Sequence, residues 1–246
     1  MIFSESITMR IVWIAAIPFM ILSSISISGA DTQKASTSKE ALQPFNLLIG
    51  SWKGSGIPEG TPDERQKGHW TEKVTWGWQF KGDDAWISVT FEDGKHFSKG
   101  ELRHIADKNL FELKLTTTDK KAVTFQGSLK EKQLALERVD EPTKETQRIV
   151  FSLLHHNRFL YRLEVKPADK TFFTKLYQVG ATKEGVPFAE VGHPERECVV
   201  SGGEGTIAVS YNGKTYYVCC TGCRDAFKET PEKFVKEFEE KRKKKN

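Results

Sequence analysis

The sequence predicts a mainly β chain: an antiparallel up-and-down barrel followed by a small module built of one hairpin and short helices. Three observations predict it. From Ala41 to about Val191 apolar residues recur at every second position in short runs. Turn-forming clusters separate the runs, Asp93-Gly94, Asp107-Lys108-Asn109, Thr118-Asp119-Lys120, Asp140-Glu141-Pro142 and Pro167-Ala168-Asp169 among them. All 4 cysteines lie beyond that region, in one stretch near the C-terminus.

Taken in order, residues 1–30 read as an export signal. Arg10 supplies a small positive region, and Ile11 to Leu22 is an apolar run too short for a comfortable membrane span. Ser28-Gly29-Ala30 then offers small residues where a signal peptidase reads. Met9 as the start would give a tidier signal; an uncleaved N-terminal anchor is the alternative. No later run is apolar enough to span a bilayer, so no stable membrane span is expected after cleavage. Residues 31–40 are polar, rich in Ser, Thr and Lys, and read as a flexible tether. Export places the protein in the periplasm or outside the cell, where disulfides are permitted.

The barrel is expected over residues 41–191. Trp70, Glu72, Val74, Trp76, Trp78 and Phe80 share one face of a long run. Ile87, Val89 and Phe91 follow, then Phe111, Leu113 and Leu115, then Val123, Phe125 and Leu129. Leu134 and Leu136 come next, then Ile149, Phe151 and Leu153, then Phe159, Tyr161, Leu163 and Val165, and Phe172 to Gly180 is the last strand. About nine strands suffice to close a barrel, and closure removes exposed edges.

The segment opening this region, Leu47-Leu48-Ile49-Gly50-Ser51-Trp52-Lys53-Gly54-Ser55-Gly56, resembles the entry strand of calycin-type barrels, the lipocalin-like and nitrobindin-like families included. In those a short helix leads into G-x-W-x-G. The resemblance implies that Trp52 closes one end of the barrel, and it admits a small apolar ligand inside. Nitrobindin-like barrels hold haem through a histidine near their final strands; the last strand here has none, so haem is not expected. His69, His96, His104, His155 and His156 show no ligand spacing apart from the adjacent pair. No nucleophile elbow or phosphate loop occurs, and no catalytic constellation is expected.

The formal net charge is +4, with 37 basic and 33 acidic residues mixed along the chain. Mixed charge of this kind excludes a nucleic-acid footprint. The basic run Lys241 to Lys245 ends a predicted helix, where cations suit the dipole.

A polar linker, Gly192 to Glu197 with Pro194, opens the module of residues 192–246. Its cysteines follow C-x20-C-x3-C: Cys198, Cys219 and Cys223, with Cys220 beside the second. Asn212-Gly213 between Ile207–Tyr211 and Lys214–Val218 is a type I′ hairpin signal that sets Val209 opposite Tyr216 and Ile207 opposite Val218. A short helix is expected from Arg224 to Glu229. A second is signalled by Thr230-Pro231-Glu232, with Phe234, Val235 and Phe238 as its apolar stripe. Thiolates at a strand end and a helix start can surround one ion, and a module this small would draw folding energy from that ion. Successive residues on a strand face opposite ways, so Cys219 and Cys220 reach one ion only if the strand breaks between them. Two rival readings remain: disulfides, for which four cysteines allow three pairings, and thiol redox chemistry at Cys220-Thr-Gly-Cys223.

The motifs Cys198-Val-Val-Ser-Gly-Gly203, Tyr211-Asn-Gly-Lys-Thr-Tyr216 and Tyr217-Val-Cys-Cys-Thr-Gly-Cys-Arg-Asp-Ala-Phe227 resemble the TRASH/YHS family of heavy-metal-associated modules over residues 196–238. The resemblance implies metal binding by Cys198, Cys219 and Cys223, with Cys220 auxiliary and Tyr217 and Phe227 as packing residues. Family members often carry a second cysteine three residues after the first; here Ser201 stands there, and Val199 replaces a common proline. Cys220, His193, Ser201, water or an exogenous ligand could take the fourth position. Three thiolates with an open fourth position suit Cu(I) or labile Zn(II). The expected function is storage, transfer or sensing of a soft metal, with a metal-transfer partner protein. The alternative is a lipocalin-like carrier of a small apolar ligand, the cysteine module being a structural zinc or disulfide-bonded appendage.

Overall fold

The computed structural model describes residues 37–155, 157–185 and 196–245. The expected export signal, most of the expected tether, most of the linker with His193, and His156 lie outside the described residues.

Ten antiparallel strands form a closed barrel in which each strand pairs with its sequence neighbours and the first pairs with the last. They are β1 (Gly50–Pro58), β2 (Trp70–Lys81), β3 (Asp84–Glu92), β4 (Phe97–Ile105), β5 (Leu110–Thr117), β6 (Ala122–Lys130), β7 (Gln133–Val139), β8 (Thr146–His155), β9 (Arg158–Lys166) and β10 (Thr174–Lys183). Alternation decides which side chains point inward: along β2, Glu72, Val74, Trp76 and Trp78 are buried while the residues between them are not. One strand, β4, is absent from the sequence reading. Its inward positions include Gly100, where a Cβ would lie 2.5 Å from Leu115 Cδ2 and 2.7 Å from the Lys114 carbonyl, and a bulge between Phe97 and Lys99 breaks the alternation. The last strand also starts later than Phe172, which is 60% exposed.

A short helix α1 (Ser38–Leu42), capped reciprocally by Thr37 and Glu40, runs into a 3-10 helix (Gln43–Leu48) ahead of β1. This segment buries Leu42, Phe45 and Leu48. Trp52 is fully buried and donates its indole N–H to the Leu48 carbonyl at 2.7 Å, which ties the helix to the strand that follows it. A second helix, α2 (Pro62–Gly68), lies between β1 and β2, with Thr61 and Glu64 forming its capping box.

The interior is filled by side chains. Trp52, Trp76, Trp78, Phe45, Phe125, Phe151, Phe159 and Tyr161 are all less than 2% exposed or at that margin, and Trp76, Phe151 and Tyr161 meet ring to ring. One buried carboxylate faces inward: Glu72 accepts from the Trp70 indole at 2.9 Å and from the Tyr161 hydroxyl. Burial and that carboxylate push the Tyr161 and Tyr177 hydroxyls up, so both stay neutral. A cleft of about 720 Å³ opens instead on the outer face of β6–β8, lined by Gln126, Ser128, Gln133, Glu137 and Ser152 among others.

After the linker come a hairpin, β11 (Ile207–Tyr211) and β12 (Lys214–Val218), then α3 (Thr221–Glu229) and α4 (Pro231–Lys245). Asn212 and Gly213 both take positive φ, as the type I′ turn requires, and the register sets Val209 opposite Tyr216 and Ile207 opposite Val218. Helix α3 begins at Thr221, three residues before the expected Arg224. Barrel and hairpin-plus-helices belong to one compact unit, residues 35–246. Trp78 stacks on Phe80 (5.6 Å, 15°) and Phe80 meets Phe234 of α4 at 6.4 Å, so the barrel core continues into the module. Lys39 pairs with Glu237 at 2.7 Å and Lys233 with Asp83 at 2.9 Å across the same junction. Exposed pairs of this kind contribute little, and the aromatic burial dominates. The module therefore draws folding energy from the barrel as well as from any ion it holds.

Candidate metal centre

Three local structures deliver the cysteines. Cys198 sits in a tight turn: its N–H reaches the Gly203 carbonyl at 2.7 Å, and the Gly202 N–H reaches the Cys198 carbonyl at 2.9 Å. Gly202 takes φ +77°, which a side chain would disfavour. The turn is fastened to the hairpin by a parallel bridge between Cys198 and Tyr217. Cys219 follows directly on β12, which ends at Val218. Cys220 is the N-cap residue of α3, and Cys223 lies in its first turn. The strand thus stops before the adjacent cysteines, and the opposite-face rule no longer separates them. The Cys219 and Cys220 sulfurs lie 3.9 Å apart.

The Sγ atoms of Cys198, Cys219 and Cys223 all lie within 4.8 Å of one another, and Cys219 and Cys223 are 3.5 Å apart. With metal–sulfur bonds of about 2.3 Å, sulfurs sharing one ion stand roughly 3.7 Å apart in a tetrahedron and roughly 4.0 Å apart in a trigonal plane. The triangle has the size for one ion bound by all three sulfurs. Cys198 and Cys223 are fully buried.

Ser201, also fully buried, places its hydroxyl 3.3 Å from the Cys219 sulfur and its N–H 3.4 Å from the Cys198 sulfur. Ser201 and Cys220 thus flank the triangle, while His193 lies outside the described residues.

Charge is unevenly shared among the four thiols. Burial opposes ionisation of Cys198, but hydrogen bonds from Cys219, Cys223 and Ser201 outweigh it and hold its thiol well below the usual range. Cys220 is held down by Cys219 and Cys223 against burial, with backbone N–H groups of Cys223 and Trp78 adding to the effect. Cys219 is pushed up, first by its bond to Cys198 and then by Cys220. Cys223 is pushed up by burial and then by its three sulfur neighbours. Cys198 and Cys220 thus give up their protons more readily than Cys219 and Cys223, and a bound cation must displace the protons that the latter two retain. Protons compete with the ion, so affinity falls as pH falls. We expect the logarithm of the affinity to rise by about two per pH unit between about pH 6 and about pH 8. A competition titration against a chelator of known pH dependence checks this; a flat profile would mean that the thiols are already ionised.

Residues 204–237 match the YHS domain family. This YHS segment contains Cys219, Cys220 and Cys223 but stops short of Cys198, which the fold brings back beside them. No curated protein matches the chain. Among solved structures, EF1p2_mFAP2b bound to DFHBI is similar over 58% of this chain and 98% of that one, at 11% identity and a TM-score of 0.26.

Two residues at the cluster escaped the sequence reading. Asn46 donates to the Ser201 carbonyl at 3.1 Å across 155 residues of chain, and Gly222 lies flush on the Trp78 backbone. Asn46 stands in a segment read as a barrel lead-in, and nothing local marks it. Gly222, a helix-breaking residue within the first turn of a helix, carried the only signal.

Proposed function

We propose that this protein binds one soft transition-metal ion, Cu(I) or Zn(II), through Cys198, Cys219 and Cys223, and stores, transfers or senses it outside the cytoplasm. The observation that carries the reading is the triangle of three sulfurs, two of them on fully buried cysteines, sized for a single ion and assembled from three separate local structures. Thiolate donors select soft cations over Mg²⁺ or Ca²⁺. The flanking Ser201 hydroxyl and Cys220 thiol offer a weak or exchangeable fourth contact, which suits release to a partner protein better than permanent storage. The aromatic packing of the barrel interior favours this reading over that of an apolar-ligand carrier.

The test is metal content with a parallel count of free thiols, on protein purified without chelator. About one copper or zinc per chain, lost in the Cys198→Ala/Cys219→Ala/Cys223→Ala variant while the barrel stays folded, is the expected result. Absence of metal, absence of free thiols and no uptake after mild reduction would overturn it in favour of disulfides. Export is tested separately: the N-terminus of the exported protein should begin at Asp31.

A further inference from the structure

We propose that the barrel supplies a positioning residue to the metal centre: Asn46, held by Trp78, fixes the turn that presents Cys198 and Ser201. The inference rests on reading the cluster as a metal site. Five contacts form the chain. The fully buried Trp78 of β2 donates its indole N–H to Asn46 Oδ1 at 2.9 Å. This orients the amide, so that Asn46 Nδ2 donates to the Ser201 carbonyl at 3.1 Å. Ser201 in turn touches two of the three sulfurs, through its hydroxyl to Cys219 and its N–H to Cys198. Finally, Gly203, the last residue of the turn, packs on the Asn46 side chain, where an added Cβ would lie 3.0 Å from Asn46 Cγ and Oδ1.

The amide has both a donor and an acceptor, and each is used once in a direction only asparagine satisfies at this length. Asn46 lies in the 3-10 helix that closes the barrel end, so the turn is referenced to the barrel wall and not only to its own hairpin. A part-buried bond of this kind, once broken, leaves both Trp78 N–H and Ser201 C=O without their partner. The Cys198–Gly203 turn would then be free to move relative to Cys219 and Cys223. Ion release should depend on Asn46 although it touches no ligand atom.

Full-length wild type is compared with Asn46→Ala, Asn46→Asp and Trp78→Phe, with Zn(II) as the probe. Two rates are read: removal of Zn(II) from the loaded protein by a chromophoric chelator, and reaction of the metal-free thiols with an aromatic disulfide reagent. Asn46→Ala should raise both about tenfold. Asn46→Asp should do at least as much, because it keeps the acceptor for Trp78 but sets a carboxylate against the Ser201 carbonyl. Trp78→Phe, which removes the N–H that orients Asn46 together with part of a buried ring, should act in the same direction and less, and Leu134→Ala controls for the lost core volume. Leu134→Ala, in the barrel core on β7 and outside this hydrogen-bond chain, should lower stability and leave both rates unchanged. Rates in both Asn46 variants within about twofold of wild type overturn the proposal. If Leu134→Ala speeds both rates equally, general loosening explains the effect and the proposal also fails. Wild type that takes up no Zn(II) defeats the metal reading alone, and the thiol rates still decide whether Asn46 holds the turn. Circular dichroism monitors folding; should Asn46→Ala not fold, Asn46→Asp and Trp78→Phe carry the comparison.

Discussion

Gly222→Ala is expected to lift α3 off the barrel and scatter the cysteine cluster. A Cβ at this position would lie 1.7 Å from the Trp78 carbonyl oxygen and 2.8 Å from its carbon. Both sides of the clash are backbone, so no flexible side chain can yield. The close approach has a simple origin. β1 pairs with β2 only as far as Gly50 opposite Trp76, so beyond that point one edge of β2 has no strand beside it. The first turn of α3 lies against that part of β2, with Gly222 directly over the Trp78 carbonyl. Alanine is a better helix former than glycine by about 1 kcal/mol, so intrinsic propensity predicts stabilisation. Overpacking against a rigid neighbour costs about 1–3 kcal/mol or more, and here it outweighs the propensity. We expect metal affinity to fall roughly tenfold to a hundredfold at nearly unchanged β-sheet circular dichroism. An affinity equal to wild type would mean that α3 can shift without disturbing Cys220 and Cys223.

Trp52→Ala should lower the stability of the whole unit by about 3–5 kcal/mol. Trp52 is fully buried, meets Phe159 edge to face at 4.8 Å, and anchors the 3-10 helix through Leu48. Truncation opens a cavity and leaves the Leu48 carbonyl without its donor. For a chain of this size the midpoint should drop by about 6–20 °C, since each kcal/mol moves it by about 2–4 °C. Trp52→Phe keeps most of the ring volume and should lose distinctly less. Denaturant melts of the three proteins settle the order; a loss below about 1 kcal/mol in Trp52→Ala would show that the barrel end repacks around the gap.

Legibility differed from element to element for physical reasons. Strands with large inward residues, such as β2 with Trp76 and Trp78, declare themselves because burial on one face imposes period two. β4 did not, because its inward Gly100 leaves room for Leu115 and carries no apolar signal of its own. The hairpin was legible to the residue, since Asn-Gly is favoured where two successive residues take positive φ. The start of α3 was not. Its first turn contains Gly222, poor in helix propensity, and forms against the free edge of β2.

The sequence by itself determined the strand rhythm, the hairpin turn and the grouping of every cysteine into one segment. These rest on short-range rules: alternation across a pleat, φ preference at a turn, and the chemistry of thiols close along the chain. Only the tertiary structure decided that β12 stops before Cys219, that Gly222 lies against the Trp78 backbone, and that Asn46 braces Ser201 from the barrel. Those depend on contacts between residues far apart in the chain, set by which edge of the barrel was left unpaired and which side chain happened to face it.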